Sequence, residues 1–224
     1  MHWDTYRTIL DDLEPHDATL VAVSKTRSND AIRALYEAGQ RDFGENRVQE
    51  LVPKARALPD DIRWHMIGHL QRNKVKEIAR FIHMIHSVDS IRLAKRVQLD
   101  AERADRVIDV LLQVHIAAEE SKYGFEADAL VDWLESNAWQ EMPNMRIRGL
   151  MGMATFTDDA DQVRGEFQTL RSLFDRVRTS VFADHDAFDQ LSIGMSGDYR
   201  IALEEGSTMV RVGSAIFGPR DTAA

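Results

Sequence analysis

The sequence predicts an α/β fold, a single-domain (β/α)8 barrel of the TIM type covering residues 1–224, with an extra helix at the N-terminus. Three observations predict it. Short apolar runs alternate with amphipathic helical patterns along the whole chain, eight such runs can be counted, and no Gly/Pro/Ser-rich linker or composition shift divides them. Strands separated by helices of this length imply right-handed crossovers and a parallel sheet, and eight of them favour closure over an open sheet.

In chain order, Trp3, Tyr6, Ile9, Leu10 and Leu13 mark a helix near 3–13. The strand candidates are 20–25, 42–46, 62–68, 82–88, 107–117, 146–154, 190–195 and 209–217. Helical patterns fall between them at 29–39, 47–57, 71–80, 90–104, 126–138, 160–180 and 198–205; the clearest places Phe167, Leu170, Leu173, Phe174 and Val177 on one face. Seven residues follow Phe217, too few for an eighth helix after the eighth strand, so the helix near 3–13 is expected to cover that gap.

Composition narrows the function classes. With 44% hydrophobic and 29% charged residues the chain reads as a soluble globular protein, with no apolar stretch long enough for a membrane span. The start, Met1-His2-Trp3-Asp4, carries neither the basic cluster nor the apolar segment of a secretory signal, so a cytoplasmic location is expected. The absence of cysteine excludes disulfides, thiolate metal sites and cysteine nucleophiles. A formal charge of −9 argues against nucleic-acid binding; the basic stretch Gln71–Lys76 reads as a solvated helix face.

Lys25 stands at the exit of the first strand, in Leu20-Val21-Ala22-Val23-Ser24-Lys25-Thr26, on the side of a parallel barrel where ligands bind. An amine there suits Schiff-base chemistry with an aldehyde, provided apolar walls or a nearby cation lower its pKa; the plainer reading is a surface lysine at a strand end. The second informative region is Leu191–Tyr199 together with Met209–Gly218. Ser196, Gly197, Gly213 and Ser214 are small residues in the loops after the seventh and eighth strands, where backbone amides cradle phosphate in many barrels. Gly194-Met195-Ser196-Gly197 is not a nucleophile elbow, because Asp198 occupies the position that needs glycine. His65 and His69 have i, i+4 spacing, but Gly68 and the apolar run place them on a strand and its loop, so they read as satisfied or exposed histidines, as do His83 and His86.

Taken in order, VSKT (23–26), FGENRVQE (43–50), WHMIGHLQRNK (64–74), IHSVDS (85–90), EESKYGF (119–125), RGLMGM (148–153), GMSGDY (194–199) and VRVGSAIFG (210–218) closely resemble the pyridoxal-phosphate homeostasis protein family. The resemblance implies the barrel of the alanine racemase N-terminal domain and pyridoxal 5'-phosphate (PLP) as cofactor. It implies Lys25 as the Schiff-base lysine, Met195 and Ser196 of GMS with Gly213 and Ser214 of VRVGS at the phosphate, and Asn46 and His65 along the ring. Arg211 matches the arginine that faces the pyridine nitrogen. A guanidinium cannot accept a proton, so the ring nitrogen stays largely unprotonated and carbanion chemistry is restrained.

Two positions depart from the family pattern: His115 replaces a common asparagine, and Gly197 stands where an acidic residue is frequent. Alanine racemases also carry a second domain with a tyrosine base, and none of Tyr6, Tyr36, Tyr123 and Tyr199 lies in a segment matching it. The expectation is a monomeric, non-catalytic PLP-binding protein that buffers the cofactor or delivers it to PLP-dependent apoenzymes, and so influences amino-acid pools. A PLP-dependent enzyme with weak racemase activity, and a lyase whose Lys25 attacks a sugar-phosphate carbonyl, are the alternatives.

Overall fold

The computed structural model describes residues 1–118 and 123–218. Eight parallel strands close in sequence order: β1 (Thr19–Val23), β2 (Asp42–Glu45), β3 (Arg63–Met66), β4 (Met84–Val88), β5 (Ile108–Gln113), β6 (Met145–Met151), β7 (Gln190–Ser192) and β8 (Met209–Val212). Closure is made by β8 against β1, with Thr19 opposite Met209 and Ala22 opposite Val212. The helices are α1 (Trp3–Leu13), α2 (Asn29–Glu37), α3 (Val48–Ala57), α4 (Val75–Ile78), α5 (Ile91–Arg103), α6 (Ala127–Glu135), α7 (Ala160–Thr179), α8 (Tyr199–Glu204) and α9 (Ser214–Phe217).

The period of two along each strand sorts side chains into two apolar layers. Leu20, Ala22, Phe43, Trp64 and Ile85 point outward and pack under the helices, in a continuous core that includes Phe167, Leu170, Phe174 and Val177 of α7. Val21, Val23, Ile67, Met84, Leu111, Met151 and Met209 form a separate cluster inside the barrel. Side chains start several helices: Ser28 accepts from the Ala31 amide, Ser90 from Leu93, and Asp159 from Asp161 and Gln162.

The N-terminal helix takes the place expected of it. Asp12 of α1 accepts from the Tyr199 hydroxyl at 2.7 Å and from Arg200 at 3.0 Å, and the His2 amide donates to the Ile216 carbonyl. At the other end of the barrel the strand starts are tied by ion pairs, Asp42 to Arg63, and Asp109 to both Arg146 and Arg148.

Three segments differ from the sequence expectation. The run 71–80 is a 3-10 turn at Arg72–Lys74 followed by the single turn of α4. The run 107–117 is a strand only to Gln113, after which Val114 makes an isolated bridge to Phe125. The run 209–217 divides at Gly213 into β8 and α9, because a short apolar run has no period that tells strand from helix. Among the described residues, no helix is long and apolar enough to cross a membrane.

Candidate functional site

A cavity of about 620 Å³ opens at the C-terminal ends of the strands, the size class of a small-molecule site. It gathers Lys25, Asn46, Met195, Ser196, Arg211, Gly213 and Ser214 from four different strand ends. His65, expected at the ring, does not line it. Its ring is buried at 1% exposure and bonds instead to Asp42 and His86 inside the barrel.

Lys25 sits two residues beyond β1, in a loop pinned from behind. Ser24 bonds through its amide to the Gly44 carbonyl and through Oγ to Glu45 Oε1, at 2.9 and 2.6 Å. The Lys54 ammonium donates to the Ser24 carbonyl at 2.8 Å and to Glu45 Oε1 at 2.7 Å. Thr26 has φ +63, a left-handed conformation unfavourable for a β-branched residue, and its amide is held by Glu50 Oε2 at 2.7 Å. The lysine's backbone is therefore set by β2 and α3.

Next to the Lys25 loop, the loops after β7 and β8 meet where the Gly213 amide donates to Ser196 Oγ at 3.3 Å. Gly213 has no room for a side chain without crowding Val23, whereas the space where Gly197 would carry a Cβ is open. Helix α8 begins only at Tyr199, three residues beyond Ser196, so the small residues form a loop ahead of it.

Arg211 forms part of the cavity wall from β8. It is buried, at 4% exposure, and donates through Nη1 to the Ser192 carbonyl and Oγ at 2.7 and 2.6 Å, and through Nη2 to the Gly152 carbonyl at 2.9 Å. Burial pulls its pKa down to about 10, so it remains a cation at neutral pH, and Asp198 acts on it only from a distance. Among the described residues no carboxylate pairs with it. Of the five guanidinium N–H donors, three are in these bonds and two remain. Asn46, which also lines the cavity, has a buried Oδ1 with no hydrogen-bond partner among the described residues. Buried polar atoms are ordinarily satisfied, so an unmet acceptor and spare donors around one cavity fit a polar ligand.

His69 and His83 do not line the cavity. His69 bonds to Asp89 and stacks on Tyr123, with centroids 3.9 Å apart. Asp42, His65 and His83 bring possible ligand atoms within 4.8 Å of one another. Both Asp42 oxygens are already engaged by Arg63 and one of them by His65, and the guanidinium would repel a metal cation. Burial, and then the adjacent His65, lower the His83 pKa to about 4.

Sequence reasoning missed the contribution of the loop after β6, where Met153 to Asp158 line the cavity and Phe156 is 96% exposed at its rim. The rule that barrel sites are built from the loops at the C-terminal strand ends is the signal that finds it. Of the EESKYGF segment, residues 119–122 lie outside the described residues.

A parallel eight-stranded barrel with a lysine at the exit of β1 and small-residue loops after β7 and β8 defines the class. The family model described as "Alanine racemase, N-terminal domain" matches residues 4–221. The pyridoxal phosphate homeostasis protein of Aquifex aeolicus is 40% identical over 204 residues, covering 91% of this chain and 87% of that protein. The structure of PipY of Synechococcus elongatus without PLP superposes with a TM-score of 0.89 at 35% identity, covering 97% of this chain and all of that one; PipY with PLP bound gives 0.86 at 34%, with the same coverage. An alanine racemase from Bartonella henselae shares the fold at 19% identity and a TM-score of 0.72, over 97% of this chain and 60% of that one. The chain belongs to the pyridoxal phosphate homeostasis protein family.

Proposed function

We propose that this protein binds PLP reversibly through the amine of Lys25 and holds it for buffering or for delivery to PLP-dependent apoenzymes, as a single-domain monomer in the cytoplasm. The observation that carries the reading is the composition of one cavity. Lys25, the unpaired Arg211 cation, the Ser196–Gly213 junction and the unmet Asn46 acceptor share its walls. PLP bound to PipY, a relative at 34% identity, supports the same ligand. When bound, the cofactor supplies an aldehyde that an amine captures and releases reversibly.

The chain's own residues account for binding without turnover. Lys25 is presented on a backbone fixed by Glu45, Lys54 and Glu50. Ser196 and the amides of Gly197 and Ser214 are the neutral donors for a phosphate, with the Gly213 amide holding Ser196 Oγ. Arg211 offers the ring nitrogen N–H donors and no proton acceptor, which withholds the carboxylate that would make the ring a strong electron sink.

The test is absorption spectroscopy of the purified protein titrated with PLP, followed by borohydride reduction and peptide mapping. A visible band that is lost on reduction, with the pyridoxyl group on Lys25, is the expected result. Label on another lysine, or no band at saturating PLP, overturns the assignment. Turnover of an amino acid by the loaded protein would overturn the non-catalytic part.

A further inference from the structure

An unbroken chain of hydrogen bonds crosses the barrel interior from the cavity to its opposite end. Arg211 Nη1 lies 2.6 Å from Ser192 Oγ; Ser192 Oγ is 3.2 Å from His86 Nδ1; His86 Nε2 is 2.8 Å from His65 Nδ1; and His65 Nε2 is 3.0 Å from Asp42 Oδ1. Asp42 is in turn paired with Arg63 at the strand starts. Every link between these ends is buried, with Ser192 and His86 at 0% exposure.

The Asp42 end sets the direction. Its carboxylate can only accept, so His65 donates from Nε2, and with one hydrogen on that ring its Nδ1 accepts from His86 Nε2. Burial, with the Arg211 cation nearby, holds the His86 pKa well below the ordinary histidine value, so that ring is neutral. Its single hydrogen is then on Nε2, and Nδ1 accepts from the Ser192 hydroxyl. The Arg211 guanidinium only donates, and the second side of Ser192 Oγ accepts from it, which is compatible with this direction.

We infer that Ser192, His86 and His65 are positioning residues for Arg211, locking its guanidinium at the cavity wall so that its uncommitted N–H groups stay available to the cofactor's ring nitrogen. The inference rests on the PLP-binding reading and names the residues that enforce it. The guanidinium has no carboxylate to orient it, and its other bonds are to main-chain carbonyls. Among the described residues the Ser192 hydroxyl is its one side-chain hydrogen-bond partner, and the histidines fix that hydroxyl rotor. Bonds polarised in one direction reinforce one another in a low-dielectric interior.

The test has two independent parts. Nitrogen-15 NMR of the cofactor-free protein, labelled at histidine, reads the tautomers directly: His86 and His65 are both expected with the hydrogen on Nε2 at neutral pH. A hydrogen on His86 Nδ1 reverses the chain and overturns the inference whether or not PLP binds. The second part titrates PLP into Ser192→Ala, His86→Phe and His86→Gln. Ser192→Ala removes two small buried contacts and keeps the fold; it is expected to weaken PLP binding about tenfold, the value of one hydrogen bond to a charged group. It is also expected to shift the nitrogen-15 resonance of the bound ring nitrogen. His86→Phe should do the same, and His86→Gln, which retains an acceptor and a donor, should recover most of the loss. Unchanged affinity and an unchanged ring-nitrogen resonance in Ser192→Ala would refute the positioning role. Absence of the Lys25-linked band in the unmodified protein would refute the ligand and leave the tautomer result standing.

Discussion

Replacing Lys54 by methionine removes the cation behind the Lys25 loop while keeping most of the side chain's volume. Lys54 Nζ is 2.7 Å from Glu45 Oε1, the two side chains being 10% and 0% exposed, and it also holds the Ser24 carbonyl. Removing one member of a buried pair costs about 3–5 kcal/mol, and a main-chain acceptor left without its donor adds about 1 kcal/mol. Glu45 has a way to reduce that penalty. Burial already pushes its carboxyl above the ordinary range, against the pull of Lys54 and Ser24. Without Lys54 it rises further and takes up a proton at mildly acid pH. A carboxyl whose folded pKa is raised contributes stability that is complete below its unfolded value and is lost as pH rises through the folded one. The loss in Lys54→Met is therefore expected to be about 5 kcal/mol near pH 8 and about half that near pH 5. Urea denaturation followed by tryptophan fluorescence measures both. The double variant Lys54→Met with Glu45→Gln should recover most of the loss, since the fully buried charge is gone and only the Ser24 carbonyl and the more exposed Glu50 lose a partner. A loss below about 1 kcal/mol near pH 8, or a larger one near pH 5, refutes the reasoning.

Gly149 has φ +154 on β6, and a Cβ there would overlap the Gln190 carbonyl. Gly149→Ala is expected to destabilise by at least about 3 kcal/mol or to prevent soluble expression, read as the urea midpoint and yield. Tyr199 loses its bond to Asp12 in Tyr199→Phe, so α1 should dock less firmly, with about 1 kcal/mol lost and faster amide exchange in residues 3–13. At Asp42 burial raises the carboxyl pKa, but bonds from Arg63 and His65 outweigh it and hold the group well below the ordinary range. Its stabilisation is full above the unfolded carboxylate value of about 4 and is lost as pH falls through the lower folded value. Acid unfolding should therefore be shallower in Asp42→Asn, and an identical acid limb would count against the pair.

The parts of the site legible in the sequence were those whose signals are local. Lys25 follows an apolar run and precedes a helix, and the Ser and Gly residues after β7 and β8 are adjacent in sequence. The support behind Lys25 was not legible, because Glu45 and Lys54 meet only once α3 packs against β2 and β1. The histidines were read one at a time, as satisfied or exposed groups, and that local reading describes His86 correctly. Its place in a chain depends on barrel closure: His65, His86, Ser192 and Arg211 come from β3, β4, β7 and β8. The division of 209–217 at Gly213 was hidden for another reason. The run is apolar throughout, and only the close approach of Val23 to Gly213 marks where the strand stops.

The interior of this barrel holds both an apolar cluster and a polar chain, and that division bears on how the proposed ligand would be held. A buried guanidinium with no carboxylate beside it is unfavourable unless acceptors surround it. Here three bonds to Ser192 and Gly152 offset much of the desolvation and leave two donors unspent at the cavity wall. A ligand that offers an acceptor there would relieve the residual penalty, and on the proposed reading the PLP ring nitrogen is that acceptor. A carboxylate at position 211 would hold a ring nitrogen by a different route, by protonating it, and would thereby prepare the bound molecule for carbanion chemistry. On the proposed reading, an arginine held by a hydroxyl and two main-chain carbonyls would bond the ring nitrogen without protonating it, which is the arrangement a carrier requires.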